Sequence, residues 1–178
     1  MATSPDEQLK SDARAVVRQL IGAGGRMTAP LREQIMALGP AAVPPLVEIF
    51  TDNTMYLLDG PGEGWAPIHA VKLLCDLRAI EAIEPLLRRL VETDFTEIVH
   101  ETIVSKLPAL GAPVLEPALT AYAQQQGDDA RTSLAMVIGR LHVLDDRILA
   151  ILLEMLAINP TVIAGVLAEY GDLSLIHI

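Results

Sequence analysis

A short pattern that recurs four times constrains the fold of this chain more than any other feature. The segment LGPAAVPPL at residues 38–46 returns 72 residues later as LGAPVLEPA at residues 110–118. A related segment at residues 77–86 carries one additional residue, and a fainter copy occupies residues 141–148. The first leucines of the four copies are therefore 39, 33 and 31 residues apart. Self-similarity at a period of this size is typical of repeat proteins.

Each period has room for two helices, and no segment shows the alternation of a β-strand. A first helix is predicted over residues 5–21, with Ser4 as N-cap, Pro5 and Glu7 in its first turn, and Gly22 at its end. A last helix is predicted to begin at residues 159–160. Between them the pattern predicts four helix pairs: 29–38 with 41–51, 66–78 with 80–92, 95–110 with 112–125, and 129–141 with 146–157. The predicted fold class is all-α.

The predicted helix over residues 80–92 shows why such pairs need neighbours. Glu84 and Arg88 are spaced for an i,i+4 ion pair on its polar side. One helix pair cannot bury an apolar stripe alone, whereas stacked pairs form a continuous core. Pro108 predicts a kink in the helix over residues 95–110. The apolar stripe of the 80–92 helix consists of Ile80, Ile83, Leu86 and Leu90.

The pattern resembles the HEAT-repeat family, especially the short bacterial HEAT-like repeats also found in phycobilisome bilin lyases. The resemblance covers roughly residues 29–172 and is most specific at 38–46, 71–86 and 110–118. It implies a right-handed α-solenoid, a superhelix of stacked antiparallel helix pairs. Residues 1–28 would form an N-terminal capping helix and turn, followed by about four and a half repeats. The chain departs from the family pattern where Arg78 and His142 replace the turn glycine.

The last six residues, LSLIHI, match the translation of a transposase-end adapter used in sequencing libraries. We therefore expect residues 173–178 to be an adapter-derived tail, and the natural chain to continue past Asp172. On this interpretation the chain is an N-terminal fragment. Its final helix would expose an apolar face, and we expect that helix to fray or to self-associate.

The composition narrows the class of protein. The chain has 178 residues, is 51% hydrophobic and only 3% aromatic, and carries a formal net charge of −10. It is too apolar for a disordered chain, and its acidity disfavours nucleic-acid binding, which needs clustered Lys and Arg. The most apolar stretch, residues 148–158, is interrupted by Glu154 and is too short to span a membrane. With no apparent signal peptide and with Cys75 as the single cysteine, we expect a soluble, cytoplasmic protein.

His100 is the first candidate for metal chemistry. Glu97, His100 and Glu101 share a helix face, as in carboxylate–histidine metal sites. HEAT-like deoxyhypusine hydroxylases carry several His–Glu pairs, but this chain has one such pair, and His69 is followed by alanine. We therefore expect a solvated polar helix face here, with no metal and no cofactor.

Two further candidates have simpler interpretations. Cys75 lies in an apolar stripe and is expected to be a buried small side chain, with a nucleophilic or bilin-handling thiol as the alternative. His142 with Asp145 and Asp146 could bind a cation, but aspartates at this position are expected to cap the next helix.

The least repeat-like segment is the insert at residues 52–65. Its three glycines lack the Lys-Ser/Thr pair of a phosphate-binding loop. The insert contains Tyr56 and Trp65, and Phe50 comes just before it. These three are half of the few aromatic residues of the chain. Insertions in repeats often form the binding face, and aromatic residues dominate interface hot spots. Tyr56 and Trp65 are therefore candidate partner contacts; the alternative is that they pack the insert onto the repeats.

As the HEAT resemblance implies, the second helices should line the concave side. With their flanking turns they would form a net acidic surface, suited to a basic peptide or protein, or serving solubility alone. The acidic residues are Glu48, Asp52, Glu81, Glu84, Glu92, Glu116, Asp145 and Glu154, against Arg88, Arg89 and Arg147. The predicted partner-binding residues are Tyr56, Trp65, Glu81, Glu84, Arg88 and Glu116.

The sequence thus predicts a non-catalytic scaffold for protein–protein interaction, with no catalytic residues, no membrane contact and no nucleic-acid partner. One alternative is a bilin-lyase-like or metal-dependent hydroxylase-like HEAT-repeat enzyme with part of its site beyond residue 172. Another alternative is a HEAT-like DNA glycosylase. The excess of 23 acidic over 13 basic residues disfavours it, because DNA binding needs positive charge.

Overall fold

The structure is a computed structural model that describes the backbone of residues 5–176 and the side chains of residues 7–171. Over that range the chain forms helices and turns without a β-strand, so the all-α prediction is confirmed. The α-helices are α1 (Pro5–Val17), α2 (Ala29–Ala37), α3 (Val43–Thr51), α4 (Trp65–Asp76), α5 (Ile83–Glu92), α6 (Ile98–Lys106), α7 (Leu115–Gln124), α8 (Asp128–Gly139), α9 (Asp146–Ile158) and α10 (Pro160–Ile176).

The helices lie where the sequence predicts them, and the differences are confined to their ends. A 3-10 turn over Arg18–Gly22 completes the first predicted helix, while its predicted N-cap, Ser4, lies outside the described residues. Three second helices are entered through short 3-10 turns, at Gly39–Ala42, Ile80–Ala82 and Ala112–Val114. These turns coincide with the first three copies of the recurring pattern, which therefore encodes the approach to a second helix.

In each copy of the recurring pattern, the φ angle of the residue after the first leucine has the same unusual sign. All four positions have a positive φ, which costs free energy for any residue with a Cβ. Arg78 and His142 therefore keep the positive φ of the glycines that they replace. The φ angles are 54° at Gly39, 54° at Arg78, 70° at Gly111 and 55° at His142.

The chain divides into two compact units, Met1–Ala82 and Ile83–Ile178. The boundary between the units separates the two helices of the second predicted pair: α4 belongs to the first unit and α5 to the second. In the first unit α3 packs against α4, and α1 packs against α2, α3 and the 3-10 turn before α3. Its core is formed by large, fully buried side chains, including Leu20, Ile35, Leu46, Phe50, Leu73 and Leu74.

In the second unit α8 is the central helix and packs against α5, α6, α7, α9 and α10. The contact between α5 and α8 joins the second predicted pair to the fourth, so the packing here is not limited to adjacent pairs. Helix α6 ends at Lys106 because Pro108 lacks a backbone N–H. A 3-10 turn over Leu107–Leu110 follows, in place of the kink predicted within a continuing helix.

Two details of the predicted 80–92 helix are wrong. Ile80 is 59% exposed, because it lies in the 3-10 turn before α5 and is out of phase with the helix. Leu87 takes its place in the buried stripe with Ile83, Leu86 and Leu90. Glu84 and Arg88 are both exposed, and the structure records no ion pair between them.

Helix α10 continues beyond residue 172 to Ile176, and the last two residues of the predicted tail lie outside the described backbone. One face of α10 is buried against α8 and α9 through Ile163, Val166 and Tyr170. Among the described residues no single helix has both the length and the apolar character needed to cross a bilayer; α2 and α3 meet those criteria only jointly, across a 111° bend.

Candidate functional site

Two adjoining clefts of the first unit run along α1. Their volumes are about 530 and 400 Å³, and both are lined by Arg14, Arg18 and Pro45. The first extends toward Glu7 and Lys10, and the second toward the insert. We refer to these two clefts as the α1 groove.

The α1 groove carries charges of both signs. Lys10, Arg14 and Arg18 recur every fourth residue, which places them on one face of the first helix and its 3-10 extension. Arg14 donates to Glu48 of α3 at 2.6 Å, but both side chains are about half exposed, so the pair adds little stability. The predictions missed this groove, although the four-residue spacing of its basic residues was visible in the sequence.

The insert is packed against the end of the first helical segment. The hydroxyl of Tyr56 donates to the carbonyl of Phe50 at 2.7 Å. A Cβ on Gly25 would lie 3.2 Å from the Trp65 ring, so Gly25 leaves room for that ring. At Gly62, whose φ is 80°, a Cβ would collide with the carbonyl oxygen of Ile21. Tyr56 and Trp65 are only partly exposed, and both have a role inside the unit.

The insert exposes two aliphatic side chains instead. Leu57 is 53% and Leu58 is 84% exposed. They lie between Tyr56 and the turn at Gly60, whose N–H donates to the carbonyl of Leu57 at 3.1 Å. Sequence reasoning overlooked the two leucines because it weighed the insert by its aromatic residues.

His69 and His100 are both buried, so the expected solvated polar face at His100 is wrong. His69 donates from Nε2 to the carbonyl of Gly24 at 2.8 Å. His100 Nε2 lies 2.8 Å from the hydroxyl of Ser133, and the Phe95 ring lies 4.8 Å from the imidazole, centroid to centroid. Burial lowers the pKa of His100 below its ordinary value.

The carboxylates expected beside His100 do not join it. Glu101 is exposed, and Glu97 lies before the first turn of α6, where its carboxylate accepts from the backbone N–H of Asp94. Among the described residues, no group of three or more His, Cys, Asp or Glu side chains is placed to hold a metal ion. Cys75 is buried, as predicted.

The start of α9 carries an ion-pair network. Asp145 is the N-cap and accepts from the backbone N–H of Arg147, so the predicted capping role is confirmed. The Arg147 guanidinium donates to Asp145 at 2.7 Å and to Glu116 of α7 at 2.6 Å. Its hydrogen bonds lower the pKa of Asp145 to about 2. From α10, the Tyr170 hydroxyl donates to the carbonyl of Asp145 at 3.1 Å.

A second network joins α7, α8 and α9. Tyr122 donates from its hydroxyl to Glu154 at 3.0 Å and accepts from Arg131 at 2.8 Å. The Arg131 guanidinium also lies 4.5 Å from the centroid of the Tyr122 ring. Burial, followed by the bond to Glu154, raises the pKa of Tyr122 to about 12.

These pairs divide the predicted acidic surface into two groups. Arginines neutralise one group, which comprises Glu48, Glu116, Asp145 and Glu154. Glu81, Glu84 and Glu92 are exposed, and the structure records no ion pair for any of them. Of the six predicted partner-binding residues, Glu81, Glu84 and Arg88 thus remain uncommitted to ion pairs within the chain.

The fold and these networks define an all-helical protein, over the described residues, whose four recurring turns each contain a residue with a positive φ. The chain matches no protein-family model and has no significant match among curated proteins or solved structures.

Proposed function

We propose that the chain is a HEAT-like α-solenoid that serves as a non-catalytic scaffold for protein–protein interaction. The observation that carries the repeat assignment is the spacing of its contacts. In the second unit, His100 with Ser133, Glu116 with Arg147, and Tyr122 with Glu154 are 33, 31 and 32 residues apart. Equivalent positions of neighbouring repeats meet at such a spacing when repeats are stacked.

The function favoured by the predicted acidic surface is binding of a basic peptide or protein. Glu81, Glu84 and Glu92 are exposed and take part in no recorded ion pair. The other acids of the predicted surface are paired with arginine or, like Asp52, hydrogen-bonded locally. Unpaired charges at an interface act mainly on association rate and selectivity, and salt screens them.

The internal roles of the reactive side chains favour binding over catalysis. His69 and His100 are buried and hydrogen-bonded within the protein, and Cys75 is also buried. A catalytic base or nucleophile has to reach its substrate. The enzyme alternatives would be favoured by metal that copurifies with the protein, by a shift in bilin absorbance on mixing, or by a salt-sensitive shift of labelled DNA.

Selection of peptides from a random library against the full chain tests the proposed function. We expect the retained peptides to be rich in Lys and Arg, and their affinity to fall as ionic strength rises. Replacing Glu81, Glu84 and Glu92 by glutamine should weaken binding. The matched control neutralises three exposed acids of first helices: Glu33, Asp128 and Asp129. Retained peptides without basic residues, or equal effects of the two triple variants, would contradict the proposal.

Two further properties belong to the same proposal. A cytoplasmic location fits the buried thiol of Cys75, the single cysteine of the chain. Self-association through α10 fits the small side chains on its exposed face, at Ala164, Gly165 and Ala168. Sedimentation velocity over a hundredfold range of concentration tests the second property: we expect a dimer at the upper end, and a monomer throughout would contradict it.

A further inference from the structure

The insert of the first unit presents an apolar tip at Leu57 and Leu58. Single exposed leucines are common on protein surfaces and need no explanation. Here two adjacent leucines are exposed, and Leu58 is 84% accessible, the highest value among the exposed large hydrophobic residues. Such a pair costs solubility, which a binding function would offset.

The two leucines lie on an anchored loop. On one side of the tip, Tyr56 is bonded to the backbone of Phe50. On the other side, Gly62 approaches the backbone of Ile21 too closely to admit a Cβ, and Trp65 packs against Gly25. A loop held in this way loses little conformational freedom on binding, so its contacts contribute more to affinity.

The insert that carries the tip is acidic on both sides of the two leucines in sequence. The segment over residues 52–65 contains Asp52, Asp59 and Glu63 and no Lys or Arg. All three acids are exposed. Hydrogen bonds from Thr54 lower the pKa of Asp52 and keep its carboxylate charged. An anionic membrane would repel this arrangement, whereas an apolar surface bordered by lysine or arginine complements it.

We propose that Leu57 and Leu58 dock onto the apolar stripe of a basic amphipathic helix in a partner protein, with its cationic borders facing Asp59 and Glu63. An amphipathic helix offers this combination, because an apolar stripe is flanked by polar faces along its length. The inference rests on the proposed scaffold function and names the partner chemistry of one of its surfaces.

The test uses the full chain and a fluorescent 18-residue peptide of leucine and lysine with helical periodicity, followed by anisotropy. Leu58→Ser should weaken binding about tenfold or more, as expected for losing a buried leucine side chain. Leu144→Ser is the matched control, since Leu144 is 53% exposed and lies in the second unit. It should change affinity less than twofold. Equal effects of Leu58→Ser and Leu144→Ser would overturn the inference.

Two control peptides separate the contribution of the apolar stripe to binding from the contribution of the positive charge. Replacing lysine by glutamate keeps the apolar stripe and reverses the charge; replacing leucine by serine keeps the charge and removes the stripe. We expect both to bind at least tenfold more weakly than the Leu/Lys peptide. Asp59→Asn with Glu63→Gln should weaken binding of the Leu/Lys peptide at low salt, with a smaller effect at high salt. Unchanged affinity at low salt would overturn the charged part of the inference.

The same assay separates this inference from the proposed function. If glutamine at Glu81, Glu84 and Glu92 abolishes binding while Leu58→Ser has no effect, the scaffold function stands and the tip inference fails. If the wild-type chain binds neither the Leu/Lys peptide nor any basic library peptide, both fail. Binding of the wild-type chain to phosphatidylcholine vesicles that is lost in Leu58→Ser would identify a lipid surface as the occupant and overturn the inference.

Discussion

His100 and Ser133 form a buried hydrogen bond, 2.8 Å long, between α6 and α8. The Ser133 hydroxyl donates to the carbonyl of Asp129 at 3.0 Å, so the imidazole is the donor to Ser133 and carries its hydrogen on Nε2. This bond joins residues that are 33 positions apart in the sequence. Either protonation state of the imidazole could donate it, but burial of the site, where the Phe95 ring packs on the imidazole, favours the neutral form.

Acidification should destabilise the second unit through His100. Burial lowers the folded-state pKa below 6.5, so the unfolded chain binds more protons as pH falls. The stability from neutral His100 is complete well above pH 6.5 and is lost as pH falls through the unfolded and then the folded pKa. Urea unfolding between pH 8 and 5 should show this loss. His100→Gln should flatten it, and an unchanged pH dependence in that variant would contradict the assignment.

Removing the Ser133 hydroxyl should leave the buried imidazole without its acceptor. Ser133→Ala should cost about 1–3 kcal/mol, the range for an unsatisfied buried donor. Ser105→Ala is the control, because Ser105 is exposed and bonded only to the carbonyl of Thr102 within its own helix. That control should stay within about 0.5 kcal/mol of wild type by urea unfolding. Similar losses of stability in the two variants would mean that the buried hydrogen bond contributes no more to stability than the exposed one.

Two helical glycines of the second unit should respond with opposite signs. A Cβ on Gly139 would collide with Val166 and would lie 3.0 Å from Leu152, and both neighbours are fully buried. Gly139→Ala should therefore destabilise the unit by about 1–3 kcal/mol. No atom lies within 4 Å of a Cβ built on Gly165, so Gly165→Ala should stabilise α10 by about 0.5–1 kcal/mol. Thermal unfolding measures both, and a stabilising Gly139→Ala would refute the packing of α8 on α9 and α10.

The pKa of Asp145 should report on Arg147. Arg147 hydrogen bonds hold that pKa at about 2, so the carboxylate stabilises the folded chain above the unfolded pKa and loses this effect as pH falls from about 4 to 2. Arg147→Met should raise the pKa toward 3.8, although the backbone bond keeps it somewhat lower. NMR titration of the carboxyl carbon measures the change. Glu116→Gln should leave it near 2, and a pKa unmoved by Arg147→Met would rule out the side-chain pair.

The positions of the helices followed from local sequence signals. Proline and aspartate marked starts, as at Pro160 and Asp145, and the recurring pattern marked the turns. These signals act over a few residues, so a single sequence contains them. Arg78 and His142 looked like departures from the pattern, yet the backbone at both positions retains the positive φ of the pattern glycines.

What could not be predicted depends on contacts between distant segments. The burial of His100 requires Ser133, which is 33 residues away. The packing of Trp65 depends on Gly25, which helical periodicity does not connect to it. The register of Ile80 changed because a 3-10 turn precedes α5. At the insert, only the aromatic residues were predicted as partner contacts. Leu57 and Leu58 were not, because their exposure depends on how the loop folds back.

The positive φ common to the four recurring turns is tested most directly by exchanging glycine and non-glycine residues and measuring the free energy of unfolding in urea. No atom lies within 4 Å of a Cβ built on Gly39 or Gly111, so alanine at either position should cost only the backbone conformation. We expect about 1–2 kcal/mol at Gly39, and more at Gly111, where φ is 70° and ψ is −142°. Arg78→Gly and His142→Gly should each stabilise the chain by about 0.5–1 kcal/mol, because φ is 54° and 55°. Destabilisation by both glycine substitutions would contradict a chain built from equivalent helical repeats.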